Sequence, residues 1–437
     1  MLAGLAEAVL AQAAPPADLE LRIADALNAA FAGLATQEGD MLVGRIAPSD
    51  AAGRATLAAA LARLSETDDI HLGSCITPGS VVVPVALALA QDRRDVDAEL
   101  FGRAVAAGYG AGLRLGTAIG GARAMEAGVW PTFVAAPLMA ATTAAVLRGC
   151  DAAGLANAMA LALAGRSGRL GKPVGNDTAR WIAFGRAVGS GIEAAADAAA
   201  GFVADPGIVS EAWLAAQSAP HLVDAGALSR RDGPGIEDTG WKPFATARQG
   251  AAAVAAFRQL LDEEEIDPAQ IDRVLVEVPT ASHPLVSRPL VASDRLSTLS
   301  SAAYQLAVAA LAPDLLYDVA RRAVPDARLL ALARRIDAKA AADLDADWPR
   351  SWAGRVSVDI GGRTLQRQVT RLASDAGSDE AEAAVRRKFD RMSGYRPEGL
   401  RLEAGCCADS AGRAAIWQMF VELCERRRKE LDGHAYH

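Results

Sequence analysis

The chain is poor in the residues from which disulfide frameworks, metal centres and nucleic-acid surfaces are built. Its five cysteines, Cys75, Cys150, Cys406, Cys407 and Cys424, are an odd number with no C-x-x-C pair. That excludes a disulfide scaffold and a cysteine-rich zinc site and fits a reducing cytoplasm. Five histidines are scattered: His71, His221 and His283 in expected loops, His434 and His437 in the tail. No His/Asp/Glu set has metal-ligand spacing, and neither metal nor cofactor is expected. Basic residues are the minority, 45 Lys+Arg against 53 Asp+Glu for a net charge of −8, without a long basic run, which argues against nucleic acid or an anionic membrane as partner. There is no G-x-S-x-G elbow, Walker A loop or H-E-x-x-H.

What is there is apolar text rich in small residues. Hydrophobic residues are 51% and charged residues 22% of 437, the balance of a globular protein of two or three domains. Two uncharged stretches, 72–91 and 127–147, are long enough to cross a bilayer. They carry Pro78, Pro84, Pro131 and Pro137 and lean on Ala, not Leu or Ile, so they read as buried helices. The opening residues lack a basic flank and include Glu7, and they read as a first helix, not a leader.

From Leu2 to about Leu228, Ala/Leu/Val segments broken by Gly and Pro predict an all-α domain, with Gly108, Gly110, Gly112, Gly185, Gly189 and Gly191 allowing close helix approach. The polar loop 229–235 is the clearest boundary. Beyond it, Val254, Phe257, Leu260 and Leu261 mark a helix face, while Val274, Val276 and Val278 alternate as a strand. Val356, Val358 and Ile360 followed by Gly361-Gly362 predict a hairpin in a small antiparallel sheet. From about Asp379 the text is helical again. The expected fold is mainly α: a helical domain over 1–235, an α+β lid over 236–375, and helices of 376–437 returning to the first domain.

The segment from Asp68-Asp69-Ile70-His71 through Thr77-Pro78 to Val82-Val83-Pro84 resembles the MmgE/PrpD family, whose members show D-D-T, His-Pro and a V-V-P-A-A-L helix. Further landmarks follow in order: Gly108-Tyr109, Arg114-Leu115-Gly116, Trp130-Pro131-Thr132, Gly201-Phe202, Trp241-Lys242-Pro243-Phe244, Ser301-Ala302-Ala303-Tyr304 and Lys388-Phe389. The resemblance implies a homodimeric, cofactor-free lyase or isomerase acting on a small di- or tricarboxylic acid, with its site between domain and lid. It also implies roles: Lys242 as anchor or proton donor, Tyr304 as active-site tyrosine and Arg248 as a carboxylate fork. The chain departs from the family pattern at several places. Glu66 stands where the family has Asp, Ile70 where it has Thr, and Thr77 and Trp130 where it has histidines. The family's lysine falls on Arg180 or Lys172. Thr and Trp cannot shuttle a proton as imidazole does, which leaves His71 and Asp68 as candidates beside Tyr304 and predicts a more apolar pocket. Asp68 and Asp69 are read either as a carboxylate pair with roles separated by environment or as helix-start charges. The alternatives to an enzyme are a carboxylate-binding paralogue that keeps fold and dimer but turns nothing over, and a scaffold subunit with no small-molecule site.

Overall fold

The computed structural model describes residues 1–91, 93, 95–164, 178–291, 294–321, 326–398, 400 and 409–434. The sequence-level candidates Lys172, Cys406, Cys407 and His437 lie outside them. The chain forms two compact units. Described residues of 1–173, 178–240 and 393–437 make the first and those of 241–392 the second.

The first unit is helical. Its elements are α1 (Leu2–Gln12), α2 (Leu19–Leu34), α3 (Gln37–Arg45), α4 (Ala51–Leu64), the two-residue strand β1 (Asp69–Ile70), α5 (Gly79–Ala90), α6 (Ala98–Ala118), α7 (Pro131–Leu147), α8 (Ala152–Leu163), α9 (Ala179–Ala199) and α10 (Glu211–Gln217). Helix starts follow local chemistry. Thr36, Asp50, Asp97 and Asp151 each accept a backbone N–H from three residues on, at 2.9, 2.7, 2.7 and 2.8 Å, satisfying donors the helix leaves unpaired. Helix α7 is buried on nearly every side and packs on α5, α6, α8 and α9, which is what its unbroken apolar sequence requires. Most of the glycines named from the sequence allow the close approach expected of them: a Cβ on Gly108 would meet Thr143 Oγ1 at 2.2 Å, on Gly112 Met139 Sδ at 2.3 Å, and on Gly191 the Pro137 carbonyl at 2.2 Å, but at Gly110 it would meet only Val9 at 3.9 Å, so that glycine is not required by packing. No described helix is long and apolar enough to cross a membrane.

The second unit is α+β. After β2 (Gly240–Trp241) come α11 (Arg248–Glu263), β3 (Arg273–Val278), α12 (His283–Val286), α13 (Arg295–Ser300), α14 (Ala302–Leu311), α15 (Ala327–Ala333), β4 (Ile336–Ala340), β5 (Gly354–Ile360), β6 (Arg363–Val369) and α16 (Ala381–Arg391). Val274, Val276 and Val278 are fully buried and, with Val356 and Val358, face α11 and α14 in one core. Gly361 and Gly362 take φ of 53° and 76° between β5 and β6, the two left-handed positions a tight hairpin turn needs. One expectation fails. The sheet, ordered β4-β3-β5-β6, is mixed, because β4 pairs parallel with β3, Val274 opposite Ile336. Helix α16 belongs to this unit.

Helix α17 (Ser410–His434) is part of the first unit. Phe420 meets Phe31 edge-on at 5.5 Å and stacks on Trp417, and Arg427 forks onto Asp40 at 2.7 and 2.9 Å.

Candidate functional site

The loop from α4 to α5 gathers most of the first unit's candidates. Ser65 begins it, its hydroxyl donating to the Ala62 carbonyl at 2.7 Å, and Glu66 then takes φ of 57°, a left-handed conformation rare for a side chain of this size. Cys75 does the same at 56°. Two such residues in one short loop mark a backbone held by its surroundings, a condition concentrated at functional sites.

Asp68 and Asp69 are both buried, and their environments differ. Arg63, on the last turn of α4, has Nη1 at 3.4 Å from Asp68 Oδ1 and 3.0 Å from Glu66 Oε2. Burial works against the Arg63 cation, but Asp68 and Glu66 outweigh it and its pKa is raised. Asp69 sits among neutral donors: Gly79 N–H donates to Oδ1 at 2.9 Å and the Tyr109 hydroxyl to Oδ2 at 2.7 Å. A side chain at Gly79 could not fit, since its Cβ would lie 2.7 Å from that hydroxyl. Burial pushes the Asp69 carboxyl up to about 7 against the Tyr109 hydrogen bond, with Asp25 adding to the rise and Arg22 opposing it. Arg22 forks onto Asp18, donates to the Thr239 carbonyl at 3.2 Å and lies over the Tyr109 ring at 5.8 Å.

His71 is engaged by Ser74 of the same loop. Ser74 N–H donates to His71 Nδ1 at 3.1 Å, which makes that nitrogen the acceptor and places the ring proton on Nε2. The Ser74 hydroxyl lies 2.8 Å from the same nitrogen, and burial lowers the imidazole to about 4. His71 is therefore neutral near pH 7.

Trp130, the residue preceding α7, is the hub of the other candidates. The Arg63 guanidinium lies 5.2 Å and the Arg180 guanidinium 4.7 Å from its ring centre. Arg180, in the first turn of α9, is also 4.6 Å from Trp181, so its planar cation is braced by two indoles. Phe184 stacks on Trp130 at 5.3 Å, Phe133 stacks at 6.1 Å, and Trp181 meets it edge-on. Two residues after Trp130, Thr132 Oγ1 accepts from Thr77 N–H at 3.2 Å and from the Thr77 hydroxyl at 3.4 Å. Ile70, next to Asp69 on β1, is buried and brings no polar group. Glu66, Asp68, Trp130 and Arg180 are thus linked through Arg63 and the Trp130 ring, and Thr77 joins through Thr132.

The second-unit candidates are buried in different surroundings. Arg248, at the start of α11, is ion-paired with Asp375, whose other oxygen accepts Leu372 N–H at 2.8 Å. Tyr304 is fully buried in the apolar core near the start of α14. Lys242 is 2% exposed.

Sequence reasoning passed over Arg63, Thr132 and Tyr109. Arg63 carried a signal, being three residues before Glu66 at a helix end, the spacing of an i,i+3 pair. Tyr109 was visible as a landmark, but its bond to Asp69 spans forty residues.

The sequence model for the MmgE/PrpD N-terminal domain matches residues 16–219, and that for the MmgE/PrpD C-terminal domain matches residues 244–399. No curated protein matches the chain.

Proposed function

The chain belongs to the MmgE/PrpD family, which contains lyases such as 2-methylcitrate dehydratase, and from that premise we propose that it is a cofactor-independent lyase or isomerase of a small carboxylic acid with a rebuilt site. The observation that carries the reading is the Arg180 guanidinium braced between Trp130 and Trp181. A planar fork fixed in this way is preorganised for bidentate carboxylate binding, and the indole beside it suits a substrate with an apolar arm. The reaction is dehydration, decarboxylation or epimerisation next to that carboxylate, which requires one proton to leave or return at carbon.

In this reading Asp68, charge-paired with Arg63, is the carboxylate nearest the chemistry, and Asp69, which accepts the Tyr109 hydroxyl, is a positioning residue that titrates near neutral pH. His71 is a structural residue of the loop. Lys242 and Tyr304 keep the anchor and acid roles the family resemblance implies, and Arg248 supports the second unit through Asp375. A homodimer is part of the same proposal.

The test is proton NMR of the purified protein with cis-aconitate, 2-methylcitrate, citrate, malate, itaconate and iminodisuccinate. Turnover of one of them other than decarboxylation of cis-aconitate, with KM raised about tenfold or more in Arg180→Gln, supports the reading, since a charge-assisted hydrogen bond is worth roughly 1.5–3 kcal/mol. Line broadening without product favours the binding paralogue, which the pinned, neutral His71 and the Thr77 hydroxyl would suit. Robust cis-aconitate decarboxylation would contradict the rebuilt site.

A further inference from the structure

A cleft of about 480 Å³ lies wholly within the second unit, and none of Lys242, Arg248 or Tyr304 lines it. Four arginines do: Arg258 from α11, Arg371 just after β6, and Arg387 and Arg391 from α16. The only acid among its lining residues is Asp390, which leaves an excess of three positive charges in a chain whose net charge is −8. Phe244 and Tyr317 form the apolar wall, edge to face at 6.4 Å.

Ordinary structural roles account for only part of this cluster. Arg391 pairs with Asp314 at 2.6 Å and sits over Tyr317 at 6.0 Å, and a cation in the last turn of a helix is favoured by the dipole. Arg371 donates to the Ala376 carbonyl at 2.6 Å. Among the described residues, the side chains of Arg258 and Arg387 make no hydrogen bond or ion pair. Arg258 lies in the penultimate turn of a different helix and is partly buried. Three elements therefore converge guanidinium groups on one concavity without supplying the anions that would compensate them.

We propose that this cleft binds an organic phosphate, its phosphoryl oxygens held by Arg258, Arg371 and Arg387 and its planar or apolar part lying against Phe244 and Tyr317. A carboxylate offers two oxygens and one charge, which a single guanidinium fork satisfies. A phosphoryl group offers three oxygens and up to two charges and uses several forks at once. The volume is in the range of small-molecule sites and exceeds what inorganic phosphate fills.

Isothermal titration of the full chain tests this with ADP, glucose 6-phosphate, pyrophosphate, adenosine and citrate as probes. The expected result is binding of at least one phosphorylated organic probe, with adenosine weaker by about tenfold or more and any citrate binding unchanged in Arg258→Gln/Arg387→Gln. In Arg258→Gln/Arg387→Gln the same probe loses about tenfold or more in affinity, while the circular dichroism melting curve matches wild type. Both positions are at the surface or partly so, and the variant should fold. No binding of any phosphorylated probe at about 1 mM, citrate affinity that falls in the variant as far as that of the phosphates, or unchanged phosphate affinity in the variant would each overturn the proposal.

Discussion

Asp69 and His71, two residues apart in one loop, make opposite demands on the pH dependence of stability, and single substitutions should expose each. The Asp69 carboxyl is raised from 3.8 to about 7, so between these values the folded chain keeps a proton that the unfolded chain has released. Stability from this group falls as pH rises through that window. At about 1.4 kcal/mol per unit the total is on the order of 4 kcal/mol. His71 is lowered from 6.5 to about 4, so across that interval the unfolded chain holds a proton that the folded chain lacks. Its contribution is present above 6.5 and is lost as pH falls, up to about 3 kcal/mol in all. The two slopes nearly cancel between pH 4 and 6.5. Asp69→Asn mimics the protonated acid: its carbonyl accepts from Gly79, and its amide donates to Tyr109. Relative to wild type, the variant should gain about 1.4 kcal/mol per pH unit from about pH 4 to 7. His71→Gln should lose its disadvantage at the same rate as pH falls from about 6.5 to 4. Urea unfolding followed by circular dichroism, in half-unit steps, gives these differences directly, and other titrating groups drop out of the subtraction. Curves for Asp69→Asn that run parallel to wild type would refute the assignment of the proton to Asp69.

Two further predictions concern packing and pairing. Gly33→Ala places a Cβ 2.0 Å from the Leu61 carbonyl and must push α2 from α4, costing about 3 kcal/mol or more, whereas Gly110→Ala meets only Val9 at 3.9 Å and should stabilise by up to about 1 kcal/mol. Thermal unfolding of the two variants compares them. Arg248→Ala leaves Asp375 buried without its charge partner and should cost about 3–5 kcal/mol, and Arg248→Met/Asp375→Leu should recover most of it. Equal losses in single and double variants, read by urea midpoints, would contradict that pairing.

The parts of the fold that follow from neighbours in sequence were legible. The paired glycines of the hairpin and the alternating valines of β3 and β5 each specify structure within a few residues. Strand β4 was not legible. Only Ile336 is buried in Ile336–Ala340, so an edge strand paired on one side leaves almost no hydrophobic period, and its parallel pairing depends on a partner some sixty residues earlier. The site divides in the same way. Glu66, Asp68, Thr77 and Trp130 could be named from motif positions, while their chemistry is set by the groups they meet: Arg63, five residues away, for Asp68, and more distant ones for the rest, Thr132 for Thr77 and Arg180 for Trp130, as Tyr109 is for Asp69. Arg248 was named for its charge, yet Asp375, well over a hundred residues away, already engages that charge. Spacing along a chain carries no record of burial, and burial decides whether a carboxylate titrates near 4 or near 7.

The most direct measurement is deuterium uptake from D2O into a carboxylate substrate, at the carbon next to the carboxylate, followed by NMR as a function of pH. The account predicts uptake by wild type with an inflection near pH 7, and loss of that inflection in Asp69→Asn while the variant remains folded. Binding of the same carboxylate without any uptake at any pH would contradict an acid/base enzyme.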